Sequence, residues 1–104
     1  MDLVITNDGG RYTVCVNEKL TAVNSSEFEA ALKKIVEDAD ELVLDLSGMD
    51  YTSSAGLRVM LCAKQIMDER GVDMILRGLN DMVMQIFRET GFVNLFNIEN
   101  PLDK

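Results

Sequence analysis

The chain has 104 residues, 47% hydrophobic and 27% charged, which suits one folded domain and leaves no room for two. Acids outnumber bases 18 to 10, the net charge is −8 and histidine is absent. These counts set aside nucleic-acid binding through phosphates, ordinary zinc sites and Ser-His or Cys-His nucleophile systems.

No apolar run approaches the ~20 residues of a membrane span, and the first residues lack the basic flank and long apolar core of a signal peptide. A cytoplasmic protein with no membrane partner, no metal and no cofactor is expected. In that compartment Cys15 and Cys62 are expected to be buried, reduced thiols.

In chain order, residues 3–7 read as a strand and Asp8-Gly9-Gly10 as a hairpin turn, since Asp-Gly between apolar runs is a strong hairpin signal. Residues 11–17 alternate, with Tyr12, Val14 and Val16 on one face and Thr13 and Cys15 on the other. Residues 18–23 form a connection. Asn24-Ser25-Ser26 is expected to cap a first helix, with Glu27 and Glu29 complementing its positive end. Phe28, Ala31, Leu32, Ile35 and Val36 form its apolar stripe, and Lys33 and Lys34 lie outside.

Residues 42–46 are a buried strand, followed by the polar turn Ser47-Gly48-Met49-Asp50. Tyr51 is expected to restore an apolar anchor. Thr52-Ser53-Ser54 supplies helix-capping residue types, and from Ala55 the period becomes helical, with Leu57, Met60, Leu61 and Lys64 in register and Val59 and Ala63 on the buried side. This helix runs to Glu69, with Arg70-Gly71 as its stop.

A further strand covers residues 72–77. Gly78-Leu79-Asn80 then turns into a third helix capped by Asn80 and opened by Asp81, with Val83, Ile86 and Phe87 inward and the sides of Met82 and Met84 left open. Thr90-Gly91 stops it. Residues 92–98 are a last apolar segment, either a short strand or a helical turn, and residues 100–104 are a tail. A hairpin followed by alternating helices and strands implies a mixed α/β sheet with helices packed mainly on one face. Right-handed crossovers gather the loops after the parallel strands at one end, where open α/β sheets bind ligands and partners.

The stretch from the middle strand into the second helix carries the chemistry. A hydroxyl-rich loop opens onto a helix N-terminus, whose unpaired N–H groups and positive dipole end suit an anion, or a hydroxyl that becomes one. Leu44-Asp45-Leu46-Ser47-Gly48-Met49-Asp50-Tyr51 and Gly56-Leu57 resemble the signature of the STAS family. In particular they are similar to the small bacterial anti-sigma factor antagonists. The resemblance extends, more weakly, over nearly the whole chain. It implies a STAS-like (SpoIIaa-like) fold with an N-terminal hairpin, in one domain over residues 1–104.

By that resemblance the chain has no catalysis of its own. It binds an anti-sigma factor that is also a serine-protein kinase, and so frees a sigma factor. Phosphorylation of the loop blocks binding and a phosphatase restores it. The surface implied comprises Thr52, Ser53, Ser54, Ala55, Gly56 and Arg58, bordered by Glu18, Lys19 and Thr21. Members controlled by phosphorylation carry the acceptor hydroxyl directly before Gly-Leu, where this chain has Ala55. The family's loop aspartate falls on Ser53 and its preceding serine on Ser54. The acceptor is therefore expected at Ser54, with Ser53 second. Two alternatives from other classes are an unregulated STAS interaction module and a STAS domain that holds a nucleotide or small anion at the helix start.

Ordinary structural roles account for several of these residues. Ser53 and Ser54 serve as caps whether or not they signal. Gly56 in a first turn is expected to let another protein's backbone approach. Arg58 opposes the helix dipole. Two readings of it stand side by side: a solvated pair with Asp50, or a cation held for a phosphate on Ser54 or an acid of a partner. The seven methionines are assigned to core packing, and Asp45 and Asp50 to hydrogen bonding of their turn.

Overall fold

The computed structural model describes residues 1–99, so the tail expected at residues 100–104 lies outside the described residues. Strand β1 (Leu3–Asp8) and strand β2 (Arg11–Val16) pair antiparallel from Leu3↔Val16 to Asp8↔Arg11. The two residues between them, Gly9 and Gly10, both have positive φ, at 61° and 98°. A two-residue hairpin needs this so that its twist matches that of the strands.

Next come helix α1 (Ser25–Val36), strand β3 (Glu41–Asp45), helix α2 (Ser54–Arg70) and strand β4 (Asp73–Arg77). Helix α3 (Asp81–Glu89), a 3-10 turn at Phe92–Asn94 and strand β5 (Asn97–Glu99) complete the order. The last apolar segment is thus both a helical turn and a strand.

The sheet runs β1-β2-β3-β4-β5, parallel from β2 onward. Each parallel step moves one strand in the same direction. Right-handed crossovers therefore bring α1, α2 and α3 to one face. Burial follows this geometry. Val14, Val16, Leu42, Leu44, Met74 and Leu76 alternate along their strands and enter one core with Phe28 and Leu32 of α1, Met60 and Met67 of α2, and Val83 and Phe87 of α3. Met84 also turns inward, while Met82 is 61% exposed. Lys64, at helical spacing with the buried residues of α2, is instead tied to Asp68 at 2.5 Å. No helix among the described residues is long and apolar enough to cross a membrane.

The opposite face of the sheet carries Thr13, Cys15 and Ile75, all half-buried, and two cross-strand ion pairs, Arg11–Glu41 at 2.5 Å and Arg77–Asp45 at 3.4 Å. Both cysteines are free, but Cys62 is exposed on α2, which corrects the expectation of two buried thiols. The stripe of α2 places position 62 beside Val59 and Ile66, on the side facing α1.

The start of α1 differs from expectation. Asn24 stands at the N-cap of α1, yet its φ and ψ of −93° and −3° are helical and its side chain makes no cap bond. Its oxygen instead accepts from the Thr21 N–H at 2.8 Å, and its amide donates to the Lys19 carbonyl at 2.8 Å. The exit from α1 is held from elsewhere in the chain. Arg70, at the end of α2, donates through Nη1 to the carbonyls of Val36 at 2.6 Å and Ala39 at 2.8 Å. These are two of the carbonyls that a helix end and its following turn leave unpaired.

Charged donors on backbone acceptors contribute about 1.5–3 kcal/mol when buried, and less where water competes. Arg70→Ala is expected to lower unfolding free energy by about 1 kcal/mol, read as a shift in the urea midpoint at unchanged slope.

Candidate functional site

The loops that follow β2, β3 and β4 meet at one end of the sheet. Leu46 leaves β3 but stays buried, and its N–H donates to the Arg77 carbonyl at 2.9 Å. Asn80 joins two loops with one side chain. Its oxygen accepts from the Val83 N–H at 2.9 Å, capping α3 as expected, and its amide donates to the Met49 carbonyl at 3.1 Å. Met49 is fully buried, whereas Tyr51 is 44% exposed. The apolar anchor of this turn is thus Met49 and not Tyr51, a reversal that short turns conceal because neither period applies to them.

The segment after β2 is more than a connection. Leu20 is fully buried and forms a parallel bridge with Thr52. The Leu20 N–H donates to the Tyr51 carbonyl at 3.1 Å, and the Ser53 N–H donates to the Leu20 carbonyl at 2.8 Å. This bridge holds the entry to α2. Ser53 is extended, at φ −78° and ψ 171°, and its Oγ accepts from the Gly56 N–H at 3.3 Å. Ser53 is therefore the N-cap, and Ser54 is the first helical residue.

Gly56 is buried. A Cβ there would stand 2.5 Å from Thr52 Oγ1 and 2.8 Å from Leu20 Cβ. The bare helix start serves the chain's own close packing, which corrects the expectation that it admits another protein's backbone. Thr52 is only 2% exposed, with its hydroxyl donating to the Ser53 carbonyl at 3.1 Å. Of the six residues singled out in the sequence, Thr52 and Gly56 face inward, Ser53 and Ala55 are half-buried, and Ser54 and Arg58 are exposed.

No carboxylate among the described residues pairs with Arg58, so of its two readings the pair with Asp50 is not formed. Arg58 and Ala55 line a shallow depression with Ala22, Ser25, Ser26 and Glu29. The turn before α1 is thus part of the same surface, a neighbour that sequence spacing alone does not reveal.

Asp45 serves its turn, as expected. Oδ1 accepts from the Ser47 N–H at 3.0 Å and from Ser47 Oγ at 2.6 Å. Partial burial pushes its pKa up, but the Ser47 hydrogen bonds and the Arg77 charge outweigh this and hold the carboxyl below its ordinary value. Asp50 is exposed. No group of three or more potential metal ligands occurs among the described residues.

Comparison with known proteins adds the following. A family model described as STAS domain matches residues 3–104. BtrV of Bordetella bronchiseptica, which bears the provisional name of anti-sigma factor antagonist, is 34% identical over 96% of this chain and 87% of BtrV. The crystal structure of a Thermotoga maritima protein with a similar provisional name matches at a TM-score of 0.85 and 16% identity, over 92% of this chain and 84% of the other. The anti-sigma factor antagonist SpoIIAA of Bacillus, in its unphosphorylated form, matches at a TM-score of 0.81 and 10% identity, over 98% and 91%. At these identities the solved structures speak for the fold alone.

Two measurements test the geometry. Ser53→Ala is expected to cost about 0.5–2 kcal/mol and Ser54→Ala within about 0.5 kcal/mol, because only Ser53 accepts a first-turn N–H. Gly56→Ala is expected to cost about 1–3 kcal/mol through overpacking against Leu20 and Thr52. Equal midpoints for the two serine variants in urea would remove the assigned cap. Asp45 gives a pH signature. Its folded pKa is depressed, so its contribution is present above the unfolded value of about 3.9 and is lost as pH falls through the folded one. Asp45→Asn is expected to flatten that part of the stability curve, measured by urea titration at a series of acidic pH values.

Proposed function

We propose that this chain, which belongs to the STAS domain family, works as one STAS domain in the cytoplasm and is an anti-sigma factor antagonist without catalysis of its own. It binds an anti-sigma factor that is also a serine kinase and thereby releases a sigma factor. The name borne by BtrV supports the antagonist role. The observation that carries the switch is the exposed Ser54 at the first position of α2, with Arg58 one turn on and unpaired among the described residues.

The chemistry follows from that position. Phosphorylation adds about −1.5 to −2 charge. A helix N-terminus accepts such a charge favourably, and Arg58 shares a face with Ser54 at a spacing of one turn. The fold therefore tolerates the phosphate, and its effect falls on the partner, by repulsion and by bulk. Ser53 is the second candidate, since it is half-buried and its oxygen is already engaged as the cap.

A second reading rests on Ala55, which lacks a hydroxyl directly before Gly56-Leu57. In that reading the chain is an antagonist with no switch. Incubation with the cognate anti-sigma kinase and ATP, followed by mass spectrometry of the peptide spanning residues 51–58, separates the two. Phosphate on Ser54 supports the switch and phosphate on Ser53 moves it by one residue. Intact binding with no phosphate favours the unregulated module. Arg58→Glu is expected to weaken binding to that kinase by about 10-fold or more, the loss typical of a central interface residue, with the far-UV circular dichroism unchanged. Undiminished affinity would move the interface to another face.

A further inference from the structure

The two edges of the sheet are treated differently. β5 is short, Asn97–Glu99, and ends on a carboxylate. β1 at the other edge is twice as long, and residues 3–7 carry no charge and no proline. Its register against β2 is unbroken, so no bulge twists it away. Val4 is 49% exposed and Ile5 45%. Charges, prolines, bulges and shortness are the usual guards of an open edge, and β1 lacks all four.

The backbone shows what the edge is ready to receive. The Asn17 N–H donates to the Asp2 carbonyl at 3.1 Å, which makes Asp2 and Asn17 a bonded pair. Bonded and non-bonded pairs alternate along an antiparallel ladder. Val4 and Thr6 therefore bond to β2, while the N–H and C=O groups of Leu3, Ile5 and Asn7 point out of the sheet's edge. Only another strand satisfies such a row.

We propose that β1 pairs antiparallel with β1 of a second copy of this chain, joining two sheets into one about a two-fold axis. The sequence is self-complementary in one register. With Val4 against Val4, Leu3 of each copy meets Ile5 of the other and exchanges both ladder bonds with it, and Asp2 meets Thr6. Apolar groups then meet on both faces of the seam. The next register, with Ile5 against Ile5, sets Asp2 against Asp8 in both halves, and like charges directly opposite are destabilising. An isologous contact of this kind closes at two copies. The axis stands perpendicular to the sheet, so the loop ends of the two copies point in opposite directions and both starts of α2 stay clear. The proposal is independent of the antagonist reading.

The test is sedimentation velocity of the purified full chain between about 1 μM and 1 mM, the range of weak association, with amide hydrogen exchange read by NMR at both ends of the series. The mass is expected to rise twofold, and the Leu3 and Ile5 amides to exchange about 10-fold or more slowly at the high end, as amides newly bonded in a ladder do. Val4→Lys, which sets two lysines opposite each other, is expected to abolish the rise, while Thr6→Lys, facing Asp2, retains it. A monomer mass throughout overturns the proposal. A dimer whose Leu3 and Ile5 amides are not slowed, or one that survives Val4→Lys, also overturns it, as does equal loss in a folded Thr6→Lys variant. The amide readout needs no substitution, and it decides the matter if a lysine variant fails to fold.

Discussion

The close approach of α2 to the segment after β2 governs the loop end of this molecule. Leu20 lies beside Thr52, held by backbone hydrogen bonds to its two neighbours, Tyr51 and Ser53, and Gly56 closes the gap because there is no space for a Cβ. Several consequences follow from that one contact. The helix start is fixed in angle, the Ser53 hydroxyl is brought to the Gly56 N–H, and the Ser54 side chain is carried to the surface. The turn at residues 21–24 is fastened to the same place. A wider separation would loosen the cap and part the two halves of the candidate surface together.

Charge is distributed with the same economy. The chain carries −8 overall, yet the exposed end of α2 presents Arg58 and no acidic residue in its first turn. A cation here works against the helix dipole by a few tenths of a kcal/mol to about 1 kcal/mol. Acids serve the structure instead. Asp45 holds its turn and faces Arg77 across the sheet, and Glu41 meets Arg11. Arg58 is thus a cation with no carboxylate partner among the described residues, set where the helix dipole works against it.

Much of this was legible in the sequence, for local reasons. Asp8-Gly9-Gly10 specifies its own hairpin, Asn80-Asp81 its own helix start, and the change of period after Ser54 the beginning of α2. Each signal acts within a few residues. The failures share the opposite property. Asn24 has the chemistry of a cap, but a better set of partners lay behind it in Thr21 and Lys19. Met49 and Tyr51 are both plausible anchors two residues apart, and only the loop from Asn80 decides which is covered. Leu20 looks like one apolar residue in a connection until Thr52, far along the chain, arrives beside it. The inward positions of Gly56 and Thr52 have the same origin. Their place in the loop was legible, but the side they face is set by tertiary packing.

The strand order has a consequence for how the molecule is made. Each strand lies beside its immediate predecessor in the chain, from β1 through β5. No strand waits for a distant one to complete its pairing. The hairpin provides an edge, and every later helix–strand unit adds to the edge just formed. Sequential pairing of this kind limits the separation of paired residues to a single helix–strand unit, and the separation of contacting residues is what folding speed follows among small domains. It also lets structure accumulate from the first residues onward as the polypeptide emerges during synthesis. Each added unit also covers the strand edge left open by the one before it.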